Sequence, residues 1–111
     1  MAVPLYRAKA EFFKTLGHPA RIRILELLSE RDYAVHELLD QIAIEPSNLS
    51  QQLGVLRRTS LVVSYREGSE VMYSVSVPEV RDLLLAARRI LSGIIAVQGE
   101  MESELTRPGT A

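Results

Sequence analysis

Ser47, Asn48, Ser50, Gln51 and Gln52 stand together just behind Pro46, and Arg57 and Arg58 follow in the same segment. Hydroxyl and carboxamide groups both donate and accept hydrogen bonds, which is what reading base edges in a DNA major groove requires. A glutamine paired with adenine through N6 and N7 contributes about 1–3 kcal/mol of discrimination. Guanidinium groups hold phosphates and add affinity without sequence information. Arg66 and Ser69 belong to the same set, because the Gly68-Ser69 pair marks a hairpin tip that reaches backbone or minor groove. DNA contacts are therefore expected from Ser47, Asn48, Ser50, Gln51, Gln52, Arg57, Arg58, Arg66 and Ser69. Each has a plainer role. Serine and asparagine cap helices, glutamine suits any solvated helix, and serine is common in turns. The plainer role weighs most for Ser69, and Arg57 divides evenly between phosphate and an acidic neighbour. At least one glutamine favours base reading, since a merely solvated face more often carries Lys and Glu pairs.

The elements that must position these groups follow from hydrophobic spacing. Leu5, Ala8, Phe12 and Leu16 recur at helical intervals behind Pro4, predicting a first helix from about Pro4 to Thr15 that Gly17 breaks. A second helix starts near Pro19, carries Ile22, Leu25 and Leu28 with Ile24 and Leu27, and ends near Arg31-Asp32. A short third spans about Val35 to Ile42, and Ile44-Glu45-Pro46 makes a turn. The fourth runs from Pro46 to about Thr59 with Leu49, Leu53 and Leu56 inward, leaving Asn48, Ser50, Gln51, Gln52 and Arg58 to point away. Leu61 to Arg66 and Val71 to Val77 are rich in valine and tyrosine and predict a two-stranded hairpin around Gly68.

Pro78 opens a long last helix, from about Glu79 to Glu104. Val80, Leu83, Leu84, Ala87, Leu91, Ile94 and Ile95 share one face, while Leu85, Ala86, Ile90, Val97 and Met101 spread onto others. A helix apolar on more than one side needs a second partner. In so small a chain that partner is expected to be a second copy, with Leu5, Phe12, Leu84, Leu91, Ile94 and Ile95 at the seam. The expected fold class is mainly α with a small β-hairpin: a winged helix-turn-helix, dimeric through its first and last helices. Residues 1–105 are read as one domain and 106–111 as a flexible tail.

Composition narrows the function classes. The chain has 111 residues, enough for one modest core, and a 47% apolar share that a disordered chain would not have. It has no cysteine, which excludes disulfides, thiolate metal sites and cysteine nucleophiles. No apolar run approaches the roughly 20 residues of a membrane helix. Met1 to Lys14 mixes Arg7, Lys9, Glu11 and Lys14 with apolar residues, unlike a signal peptide, so a cytoplasmic location is expected. No phosphate loop, nucleophile elbow or paired metal motif appears, and an enzyme is the poorest class. The net charge of -1 argues against nucleic acid, as do Glu67 and Glu70 in the hairpin. Those features favour an alternative, a winged-helix protein-interaction module without sequence-specific DNA binding.

Three segments outweigh that alternative. His18-Pro19-Ala20-Arg21-Ile22-Arg23-Ile24-Leu25, Ser47-Asn48-Leu49-Ser50-Gln51-Gln52-Leu53-Gly54-Val55-Leu56-Arg57 and Met72-Tyr73-Ser74-Val75 together resemble the ArsR/SmtB family of winged-helix repressors. The resemblance covers roughly Ala8 to Ile95. It implies a dimeric repressor that binds double-stranded DNA at an imperfect promoter palindrome and releases it when an inducer, often a metal ion, binds. The usual metal residues do not carry over. Positions that hold cysteine in many of the family's sensors are Ala34 and His36 here, and the last helix has Asp82 but no histidine. His36 with Asp32 or Asp40 is a weak metal set, and His18 before Pro19 reads as a helix cap or a packing residue rather than a ligand. No metal site and no cofactor are expected, and the inducer is left unnamed.

Overall fold

Prolines mark where the helices begin, and the spacing behind each decides which face is buried. The computed structural model describes the backbone of residues 2–106 and the side chains of residues 2–99. Its elements in order are α1 (Leu5–Leu16), α2 (Pro19–Glu30), β1 (Tyr33–Ala34), α3 (Val35–Gln41), α4 (Pro46–Arg58), β2 (Val62–Glu67), β3 (Glu70–Val75) and α5 (Glu79–Thr106). The side chain of Met101 and the residues from Arg107 to Ala111, which complete the expected tail, lie outside the described residues. By contacts the chain forms two compact units, Met1–Arg81 and Asp82–Ala111. The helix α5 begins in the first and continues through the second.

In the first unit the apolar stripes converge. Ile24 and Leu25 of α2, Leu38 of α3, Leu49, Leu53 and Leu56 of α4, and Val62 of β2 are fully buried. Burying a leucine or isoleucine of this kind contributes about 1.5–3 kcal/mol. The Pro19 helix is capped by the preceding histidine: His18 Nδ1 accepts from the Ala20 N–H at 3.2 Å. Of the two roles open to His18, cap or packing, that bond shows the cap.

The end of α4 is fastened as firmly as its inner face. Ser60 takes a left-handed conformation, with φ of 64°. Its N–H donates to Arg57 O at 3.0 Å, and the Leu61 N–H donates to Leu56 O at 2.9 Å. Those two bonds form a Schellman motif, and Leu56 and Leu61, the positions where such a motif usually carries an apolar pair, are both buried. The chain is thereby turned from α4 directly into β2.

The sheet differs from expectation by one strand. It has three antiparallel strands in the order β1-β3-β2 rather than a hairpin alone. Tyr33 pairs with Tyr73 and Ala34 with Met72, so β1 anchors the hairpin to the segment between α2 and α3. The hairpin closes with Glu67 opposite Glu70. Gly68 at the first turn position has φ of 63°, which a type II′ turn requires there and which glycine adopts without steric cost.

Candidate nucleic-acid interface

Stepping about 100° per residue along α4 sorts its side chains into two faces. Leu49, Leu53 and Leu56 turn inward. Ser47, Gln51 and Arg58 follow one another along the opposite side and are exposed, with Ser50 and Arg57 exposed beside them. Asn48 is half-buried at the edge of that face. The first turn receives no side-chain cap from Glu45, and Pro46 has no N–H to satisfy. Backbone donors and the positive end of the helix dipole are therefore presented beside the Ser47 hydroxyl, an arrangement suited to a phosphate oxygen. At the other end of the helix, Arg57 stands exposed rather than turned partly inward.

Gln52 is the correction. It was expected on the outward face, and it is instead 5% exposed. Its Oε1 accepts from Arg21 Nε at 2.8 Å, and its Nε2 donates to Asn48 Oδ1 at 2.9 Å. Arg21 also donates from Nη1 to the carbonyl of Thr15 at 3.2 Å. A buried carboxamide must be hydrogen-bonded, and this one has both ends occupied by protein. It cannot serve as a base reader without breaking that chain. Arg21 is the residue the sequence reading passed over. The spacing signals that Gln52 needs some partner, because it falls between Leu49 and Leu56 on the inner side, but it does not say which residue that partner is.

The wing is held by polar contacts at its root and flank. Tyr65 of β2 donates its hydroxyl to Asp32, which keeps the phenol protonated and pushes its pKa up to about 12. His36 of α3 meets Glu70 of β3 at 3.3 Å, with both side chains exposed. Arg31 lies 3.7 Å from the centre of the Tyr33 ring and 3.1 Å from Glu37. Glu37 in turn accepts from the Ala34 N–H at 2.9 Å, capping α3. That backbone bond first, and the Arg31 guanidinium second, hold the Glu37 carboxyl below its usual range. Glu37 and Tyr33 also raise the Arg31 guanidinium further above its ordinary value, Glu37 most. Arg66 and Ser69 are exposed along the wing and at its tip. Glu67 is exposed there too, so the wing mixes one cation with acidic groups. Among the described residues no group of three or more His, Asp or Glu side chains comes together in a way that would hold a metal ion. No helix among them is long and apolar enough to cross a membrane.

Comparison with known proteins agrees with this geometry. The family described as "Bacterial regulatory protein, arsR family" matches residues 18–64, from the cap of α2 into β2. An uncharacterized HTH-type transcriptional regulator of Mycobacterium tuberculosis, Rv0081, is 51% identical over 109 residues, covering 97% of this chain and 96% of the relative. The crystal structure of Rv0081 superposes with a TM-score of 0.79 at 54% identity, over 87% of this chain and 98% of that one. The transcriptional repressor BigR from Xylella fastidiosa gives a TM-score of 0.72 at 35% identity, over 77% of this chain and 87% of that one. With a winged helix-turn-helix, a polar outward face on α4 and relatives matched over nearly their whole length, the chain belongs to the arsR family of bacterial regulatory proteins and is a DNA-binding transcriptional regulator.

Proposed function

We propose that the protein is a cytoplasmic repressor that binds an imperfect promoter palindrome as a homodimer. The observation that carries this reading is the division of α4. Its apolar side is locked in the core, and Ser47, Ser50, Gln51, Arg57 and Arg58 are left exposed on a rod that fits a major groove. Ser47 and Asn48 hold phosphate or base edges at the start of the helix, Gln51 reads a base, and Arg57, Arg58, Arg66 and Ser69 track the backbone. Two copies of α4 related by a twofold axis would enter successive major grooves about 34 Å apart. The dimer forms through α1 and α5. Leu5, Leu91, Ile94 and Ile95 are 69%, 57%, 47% and 64% exposed in the single chain, more apolar surface than a free helix tolerates. Phe12 and Leu84, both half-buried, complete the seam. Repression rather than activation is favoured by the likeness to a repressor from Xylella fastidiosa.

Sedimentation equilibrium with and without DNA tests this reading. The wild-type protein is expected at a mass near twice the 12.4 kDa of the chain, with two protomers on each duplex. Replacing Leu91 and Ile94 together by aspartate is expected to give a folded monomer that no longer holds the palindrome. A wild-type monomer that binds one half-site as tightly as the whole palindrome would overturn the dimeric reading.

A further inference from the structure

The chain of hydrogen bonds from Arg21 to Asn48 has a direction. A guanidinium has five N–H donors and no acceptor. The Gln52 atom 2.8 Å from Arg21 Nε must therefore be the carbonyl oxygen. The amide nitrogen of Gln52 is then the end that faces Asn48, 2.9 Å away. An amide N–H donates, so Asn48 turns its carbonyl oxygen toward Gln52 and is left with its NH2 group outside. The contact from Arg21 to Thr15 O fixes the first link against rotation. Gln52 is buried, and Asn48 is half-buried at the start of α4, where the groove would be.

We propose that Arg21 and Gln52 are positioning residues that make Asn48 a donor-only contact to DNA. This rests on the reading of Asn48 as a DNA-contacting residue and adds its specificity. Pairing with adenine requires one donor and one acceptor facing the base, and the acceptor of Asn48 is committed inward. Its NH2 group instead suits a lone acceptor: a phosphate oxygen, N7 of either purine, O6 of guanine, or O4 of thymine, without the paired N6 and N7 contact that singles out adenine. Arg21 thus acts on the DNA contact of Asn48 through Gln52, without touching DNA itself.

A double-mutant cycle on DNA affinity separates this clamp from a structural role. The duplex is one enriched from a random pool by the wild-type protein, and circular dichroism melts establish that each variant is folded. Asn48→Ala is expected to weaken binding about tenfold, the scale of one lost hydrogen bond to a charged or base acceptor. Gln52→Met should weaken it by a similar factor in the wild-type background and scarcely at all in the Asn48→Ala background. Gln52→Glu keeps the acceptor for Arg21 but has no donor for Asn48, so it should be equally impaired, and it decides the matter if the methionine variant does not fold. Enrichment repeated with the glutamate variant distinguishes the two sources of acceptor. A changed base preference at one position in each half-site identifies a base, and an unchanged consensus with uniformly weaker binding identifies a phosphate. Both support the clamp. Losses that multiply in the double variant would overturn it, as would folded Gln52 variants that bind like wild type while Asn48→Ala does not. If Asn48→Ala itself binds normally, the underlying DNA contact of Asn48 fails along with the clamp.

Discussion

Tyr65 carries the clearest consequence of a single contact. Its hydroxyl donates to Asp32, and that bond leads the causes that raise its ionisation from the ordinary 10.0 up to about 12. A phenol whose pKa is higher in the folded chain keeps its proton there after the unfolded chain has lost it. The stabilisation it supplies is complete below pH 10 and is lost as pH rises through about 12. In an ultraviolet absorbance titration, wild type minus Tyr65→Phe is expected to isolate one phenol ionising near 12, and Asp32→Asn should return it toward 10. A difference spectrum centred on 10 with Asp32 intact would contradict the contact. At this same scale the candidate site was only partly legible. Residue type and helical spacing pointed Ser50, Gln51 and Arg58 away from the core, and all three are exposed. Gln52 misleads because its type suits base reading while its position falls among Leu49, Leu53 and Leu56. Its partner lies 31 residues away on another helix, and nothing local in the sequence names Arg21 as the donor.

Among elements, the junction after α4 matters most, because it leads that helix directly into the wing. The Schellman motif there places a serine where glycine is usual. A left-handed residue with a Cβ costs about 1–2 kcal/mol, and part of that gain is offset because glycine also loosens the unfolded chain. Ser60→Gly is therefore expected to stabilise the protein by about 0.5–1 kcal/mol, which raises Tm by roughly 4 °C in a domain of this size. An unchanged or lowered Tm by calorimetry would mean that the serine side chain does something at this turn that its backbone does not disclose. Helix bounds were readable because Pro4, Pro19, Pro46 and Pro78 each stand at or just before a helix start. The hairpin was readable from Gly68. The strand β1 was not, since two residues carry no alternation, and Tyr33–Ala34 becomes a strand only through its pairing with Tyr73 and Met72.

The whole molecule has to bind a polyanion with a net charge of -1. Placement resolves the difficulty only if the cations gather where the DNA lies. Arg57, Arg58 and Arg66 are exposed on α4 and the wing, and Glu67 and Glu70 are exposed on the wing beside Arg66. Each phosphate neutralised steepens the fall of affinity with salt by about 0.9 in a plot of the logarithms. The most direct test of the central claim, that the outward stripe of α4 reads DNA sequence, is fluorescence anisotropy across a salt series. The labelled duplex comes from the region upstream of the protein's own gene, with a scrambled duplex as control, and wild type is compared with Gln51→Ala. Wild type is expected to bind the upstream duplex far more tightly than the control, with a steep salt slope. Gln51→Ala is expected to lose about 1–3 kcal/mol of that preference with the slope unchanged. Equal, weak binding of both duplexes by wild type, or full discrimination retained without Gln51, would contradict the claim.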